Sequence, residues 1–305
     1  MRRSVGRASR PALGRAVRQA ARALLFALAA ILAPGQEAPS ISVAKIAEGF
    51  RFTEGPAWSK DGYLVFSDTP SNRILKWVPG HAPELLRDDA NGPSGNAFDA
   101  QGRLYTCETR ARRVVRMDKN GKIETLAERW DGKRLNAPND VVVSRNGHVY
   151  FTDPAFGEQS DHRELDFYGV YHISPKGALT LAAKTAGRPH GVAISPNGRI
   201  LYVTGADEHN VRAYDLDGDG QASNERILIS GIAGVPGGIR VDDKGRLYVA
   251  AAGVAVYSPE GKLLFTISPD VRVSNCALGE ADGKTVFLTE GAEVRRARLD
   301  AKAGN

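Results

Sequence analysis

The sequence predicts an all-β fold, a six-bladed β-propeller built of four-stranded antiparallel blades, on three observations. One short unit recurs six times, the glycine of its turn returns every 38 to 51 residues, and helical periodicity is absent after residue 35. A period of roughly 40–50 residues is that of one propeller blade. Each copy is an apolar strand, a polar turn with Gly, and a second, strongly apolar strand. The copies are AWSKDGYLVFSD from Ala57, NAFDAQGRLYTCE from Asn96, DVVVSRNGHVYFTD from Asp140, GVAISPNGRILYVT from Gly191, GIRVDDKGRLYVAA from Gly238 and CALGEADGKTVFLTE from Cys276. Their turn glycines, Gly62, Gly102, Gly147, Gly198, Gly245 and Gly283, supply the positive φ that tight hairpins require.

A third strand follows each pair (NRILKWV, RRVVRM, GVYHIS, NVRAYDL, GVAVYS, EVRRARL), and most copies add a fourth, such as KIETLAE, ALTLAAK, RILIS and KLLFTIS. The last copy ends near Leu299 without a fourth strand, whereas Ile41–Ala47 (ISVAKIA) precedes the first. Pairing that N-terminal strand into the last blade closes the ring and removes both open edges. A seven-bladed ring would need a further copy, and the sequence has none.

Ahead of the repeats, residues 1–35 carry seven arginines and no acid, then an apolar run of eleven residues, Ala23–Ala33. That run is too short to span a hydrocarbon core, which takes about 20 helical residues. With the small residues Ala33-Pro34-Gly35 after it, the segment reads as a signal peptide, leaving 36–305 as a single exported (periplasmic or secreted) domain without a stable membrane anchor. The formal net charge of +6 belongs to this segment: without it 34 basic residues face 35 acidic ones. The folded part therefore has no basic surplus for nucleic acid. A monomer is expected. Cys107 and Cys276 sit in apolar strand-like runs and read as buried free thiols, and no Cys/His spacing marks a structural zinc site.

Short polar segments precede the innermost strands: Glu54-Gly55-Pro56, Ser94-Gly95-Asn96, Pro138-Asn139-Asp140, Pro189-His190-Gly191, Pro236-Gly237-Gly238 and Ser274-Asn275. Equivalent positions of successive blades meet around one axis, so an acid, an amide and an imidazole converge on the central channel. Such turn chemistry is common in itself, but polar residues at the same place in successive blades are not needed for turning. Carboxylate and amide oxygens suit hard cations, and imidazole adds affinity for transition metals. Asp215–Gly220 opens like a calcium loop, but Arg226 stands where its bidentate Glu belongs, and it reads as a solvated hairpin loop.

With FTEGPAW (Phe52–Trp58), LVFSDTPSNRILKW, FDAQGRLYTCE, RLNAPNDVVV, YFTDPAFG and NCALGEADGKTVFLT, the chain from Ile41 to Leu299 resembles the family of senescence marker protein, gluconolactonases and luciferin-regenerating enzyme. The resemblance implies a six-bladed propeller that hydrolyses a small lactone or related ester, often sugar-derived, at a divalent cation, zinc or calcium, in the channel. Carried over residue by residue, Glu54 and Asn139 match metal ligands of the family. His190 stands where an Asn is expected, and Gly237 where an Asp serves as ligand and base or nucleophile. Glu54, Asn139 and His190 are thus the candidate ligands, and one imidazole beside one carboxylate favours zinc. His190 is also the candidate catalytic base. Ser94, Asn96, Asp140 and Asn275 are the candidate substrate contacts, and Asp140 and Asp153 could orient ligands or cap backbone. No Gly-x-Ser-x-Gly elbow supports a serine-hydrolase route. The alternative is a non-catalytic propeller binding a sugar-like ligand or a protein, with the family Asp lost at Gly237.

Overall fold

The computed structural model describes residues 39–300, so the expected signal peptide lies outside the described residues. Six antiparallel sheets follow one another along the chain. Blade 1 starts with Thr53–Ser59 and blade 2 with Pro93–Phe98. Blade 3 starts with Val141–Val143, blade 4 with Pro189–Ile194, blade 5 with Ile239–Val241 and blade 6 with Asn275–Gly279. All six turn glycines have positive φ. Each donates its N–H to the carbonyl three residues back, from Gly62 to Ser59 through to Gly283 and Glu280. One turn chemistry thus sets six hairpins.

The ring closes as expected. Ser40–Glu48 pairs antiparallel with Glu293–Asp300 in register Ser40 with Asp300, so blade 6 takes its outer strand from the N-terminal side. Blade 5 departs from four separate strands. Leu247–Tyr257 is one continuous element whose first half pairs with Ile239–Val241 and whose second half pairs with Leu263–Arg272. Gly253, at φ +72°, lets the chain turn inside it without leaving extended pairing. A two-stranded ribbon, Arg129–Trp130 with Lys133–Arg134, is inserted before blade 3.

The second strand of each blade is apolar on both faces because each face meets a neighbouring blade. In Leu104–Glu108, Tyr105 and Cys107 pack toward blade 3 while Leu104 packs toward blade 1. In Leu247–Tyr257, Leu247 and Val249 face blade 4, and Tyr248 and Ala250 face blade 6. The buried apolar residues accordingly form one cluster at every blade junction. The junction of blades 6 and 1 is cemented by Phe287 stacked on Trp58 at 5.1 Å between centroids. Cys107 and Cys276 are buried free thiols, as expected. Asp215–Gly220 leads from strand Asn210–Leu216 toward strand Ala222–Ile229 as a hairpin loop, with Asp217 Oδ1 accepting from the N–H groups of Asp219 and Gln221.

That loop packs on a buried histidine pair. His148 Nδ1 lies 2.7 Å from His172 Nε2, His172 Nδ1 contacts Thr180 and Gln221, and Tyr150 stacks on the His172 ring. Burial, reinforced by His148 and opposed by Asp217, pushes His172 down to about 4. The unfolded chain takes up this proton near pH 6.5 and the folded chain does not, so stability is lost as pH falls from about 6.5 toward 4. Buried carboxyls act in the opposite sense, so the effect is read as a difference from His172→Gln. In urea titrations across this range, the variant should lack a pH-dependent loss on the order of 2–3 kcal/mol. Equal slopes for the two proteins would refute the assignment.

Candidate functional site

In three of the blades the polar segment owes its geometry to a shared irregularity. In blades 1, 2 and 4 the first strand carries one extra residue against its partner: Glu54–Ala57 spans Ser67–Val65, Pro93–Asn96 spans Glu108–Thr106, and Pro189–Val192 spans Gly205–Val203. A bulge re-aims the side chain beside it. Here it turns Glu54, Ser94 and His190 toward the axis. Blade-to-blade packing at this level is backbone on backbone. A Cβ on Gly55 would collide with the Ser94 carbonyl, and one on Gly191 would lie 2.6 Å from the Gly237 carbonyl. Hydroxyls of the second strands brace the belt: Ser67 donates to the Ser94 carbonyl (2.8 Å), Thr152 to His190 (2.6 Å) and Thr204 to Gly237 (2.6 Å).

A cavity of about 520 Å³ opens above this belt. Glu54, Ser94, Asn139, His190, Gly237 and Ser274, one residue from each blade, line it. Phe52, Phe156, Val235 and Pro236 contribute apolar wall, and Arg110 and Arg272 stand among the lining residues as well. Glu54, Asn139 and His190, the expected ligands, are therefore brought together with Ser94.

Asn96, Asp140 and Asn275, expected to touch substrate, are not among the lining residues and are at most 1 % exposed. Asp140 and Asn275 follow pocket residues directly, and neighbours on extended chain point to opposite sides. Asn96, two residues past Ser94, lies one layer deeper and donates to the Gly55 carbonyl and Ser67 Oγ. Asn275 Nδ2 donates to Glu54 Oε2 at 3.0 Å, so it positions the acid. Asp140 accepts from Arg240 at 3.2 Å, an ion pair the sequence reading missed because Arg240 lies outside the polar segments. Asp153 caps backbone, accepting from the N–H groups of Asn136 and Ala137 (2.7 Å each) and so holding the loop that carries Asn139.

Glu54 is 4 % exposed, and burial pushes its carboxyl up to about 7 against the hydrogen bonds from Asn275 and Gly55. Burial pushes His190 down to about 4, and the positive charges of Arg272 and Arg188 add to this, so its ring is neutral at pH 7. His190 Nε2 is 3.9 Å from Glu54 Oε1, too far for a hydrogen bond. Two ligands each about 2 Å from one tetrahedral cation stand roughly 3.3 Å apart, so a shift of about half an ångström brings this pair to ligating distance. Asn139 Oδ1 and His190 Nδ1 are buried with no hydrogen-bond partner, which is costly unless something else meets them. A deprotonated carboxylate oxygen, an amide oxygen and a neutral imidazole fit a divalent cation. No group of three or more His, Cys, Asp or Glu gathers as a metal site among the described residues, because the donor set includes an amide and Gly237 adds no side chain.

Known proteins share this architecture. A gluconolactonase of Zymomonas mobilis is 33 % identical over 291 residues, covering 85 % of this chain and 82 % of that protein. The solved structure of a gluconolactonase from Xanthomonas campestris superposes with a TM-score of 0.79 at 33 % identity, over 85 % and 89 % of the two chains. A calcium-binding regucalcin from Agrobacterium tumefaciens, at TM-score 0.70 and 15 % identity over 82 % and 92 %, shows the fold alone. The family described as the SMP-30/Gluconolactonase/LRE-like region matches residues 52–292. With that span running from the first blade into the sixth, the chain belongs to the SMP-30/gluconolactonase/LRE-like family.

Proposed function

We propose that the protein is an exported lactonase that hydrolyses a small, sugar-derived lactone in the central pocket, with a divalent cation held by Glu54, Asn139 and His190. The gluconolactonase relatives, each 33 % identical, support the reaction class. The observation that carries the site is the buried, unpartnered Asn139 Oδ1 lining the same pocket as Glu54, whose Oε1 faces His190 Nε2 at 3.9 Å. The calcium-binding regucalcin that shares the fold is consistent with a divalent cation, and the imidazole favours zinc over calcium.

When bound, such a cation supplies Lewis acidity toward the lactone carbonyl. The chain's own residues do the rest. In the overall reaction the oxygen of water bonds to the carbonyl carbon, the acyl–oxygen bond breaks, and the ring oxygen leaves as a hydroxyl carrying one proton. The new carboxylic acid then ionises. Glu54 and His190 are the groups facing the pocket that can take the proton from water. The low basicity of His190 suits it better to holding a cation than to acting as the base, the role the sequence suggested. Ser94 presents a hydroxyl on the pocket surface to the lactone's polar edge, and the apolar walls exclude water from the acyl centre.

The test is cation content together with hydrolysis of several aldonolactones by the mature protein. Turnover that disappears with chelation and returns with zinc or calcium supports the reading. No bound cation and no turnover on any lactone would leave a ligand-binding propeller instead. Asn275 gives a finer check, since it does not line the pocket yet holds Glu54. Asn275→Ala should weaken cation binding about ten- to a hundredfold, as loss of a partner that orients a ligand does. Unchanged cation affinity in calorimetry would remove Asn275 from the site.

A further inference from the structure

We infer that the pocket selects lactones carrying a phosphate, carboxylate or sulfonate remote from the ring carbonyl, and that Arg110 and Arg272 make the selection. This rests on the lactonase reading and extends it to the substrate class. Among the described lining residues Glu54, a candidate cation ligand, is the only acid, and it is buried. The only cationic side chains among those described lining residues are Arg110 and Arg272. Both are exposed, and neither has a carboxylate within ion-pair distance among the described residues. Arg188, near the same mouth, is instead neutralised by Asp207 at 2.6 Å and lies over the Phe156 ring.

Arg110 follows the second strand of blade 2, and Arg272 ends the last strand of blade 5. Blades 2 and 5 stand opposite each other in a six-bladed ring, so the two guanidinium groups flank the opening from both sides. Between the two stand apolar walls, Phe52, Phe156, Val235 and Pro236. Unpaired positive charge flanking a cleft with low-dielectric walls concentrates ligands of the opposite sign. A neutral lactone gains nothing from that field. A lactone with an anionic tail gains steering, and a guanidinium fork matches phosphate, sulfonate or carboxylate geometry.

The experiment compares, on the full mature chain, gluconolactone with the same lactone phosphorylated, or oxidised to a carboxylate, at its terminal carbon. The expected kcat/KM ratio favours the anionic substrates by about tenfold. High salt and the Arg110→Gln/Arg272→Gln double variant should bring it to parity, and Arg110→Glu/Arg272→Glu should take it below parity. Parity in the wild type, or a preference that survives the double variant, overturns the inference. Comparing the phosphate and carboxylate arms shows which tail is preferred. Calorimetry with the two open-chain acids, phosphorylated and not, needs no turnover. Tighter binding of the phosphorylated acid, lost in the double variant, upholds the anionic selection even if no lactone is hydrolysed and the lactonase reading falls. Equal binding of the two acids overturns the selection alone.

Discussion

Glu54→Gln is expected to abolish cation binding and to lower kcat/KM for lactone hydrolysis about a thousandfold, with folding intact. The amide retains the size of the acid. Its oxygen can still accept from Gly55 N and Asn275 Nδ2, the two bonds that fix the native carboxyl. What disappears is the charge, and with it the only acid among the described residues lining the pocket. Transition-state charge stabilisation at such a site is worth several kcal/mol, which is the origin of the expected factor. Stability should hold or rise slightly, because an uncompensated buried carboxylate costs folding energy that an amide does not. The raised carboxyl adds a pH signature. Below about pH 7 a proton occupies Glu54 and competes with the cation, so cation affinity in the wild type should weaken as pH falls through that value. Calorimetric titrations with zinc and calcium at several pH values check this. Full activity in Glu54→Gln would move the chemistry elsewhere.

Gly237→Asp is expected to destabilise the protein by at least about 3 kcal/mol, not to restore the acid found at this place in the family. A Cβ on Gly237 would lie well inside van der Waals contact with the Ser274 carbonyl oxygen, and the Ala250 carbonyl is 3.5 Å away. The backbone there is held on both sides, by Gly237 N donating to Ala250 and by Thr204 Oγ1 donating to the Gly237 carbonyl. Neither neighbour can move without disturbing its own blade. Gly237→Ala should therefore lose nearly as much stability, with a thermal midpoint lowered by roughly 10 °C for a domain of this size. That control separates steric exclusion from the cost of a second buried charge. A stable Gly237→Asp variant with improved cation affinity would show that blade 5 merely lacks a ligand. The steric picture says otherwise: blades 5 and 6 approach so closely here that the position belongs to the backbone.

Much of the architecture was legible because its cause is local. The six turn glycines need positive φ, and that requirement shows in the residue type at each hairpin. The doubly buried second strands show as uninterrupted apolar runs. The closing strand was legible as a leftover, one strand too many before blade 1 and one too few after blade 6. Blade 5 was misjudged in detail because LYVAAAGVAVY carries no turn residue except Gly253, and pattern alone does not say whether a chain breaks or bends there. At the site, Glu54, Ser94, Asn139 and His190 were visible through the repeat. Which member of each polar segment faces the pocket depends on the bulges and on strand alternation, so Asn96, Asp140 and Asn275 were placed one layer too high. The hydroxyl of the second strand had a signal in every blade but the fifth, since Ser67, Thr106, Thr152, Thr204 and Thr289 recur near its end. Arg110, Arg272 and Arg240 had none, since they lie outside the polar segments that open the inner strands and their meaning comes only from what stands beside them.

The pairing of Ser40–Glu48 with Glu293–Asp300 has a consequence in time as well as in space. Synthesis proceeds from one end, so the strand that completes the last blade is made before any blade and must wait for all six. Blades 1 to 5 can form as they emerge, each from contiguous chain, whereas the final closure joins residues more than 240 positions apart. Until that moment the growing chain carries two unsatisfied strand edges, the form in which it is most open to proteolysis and to pairing with another copy.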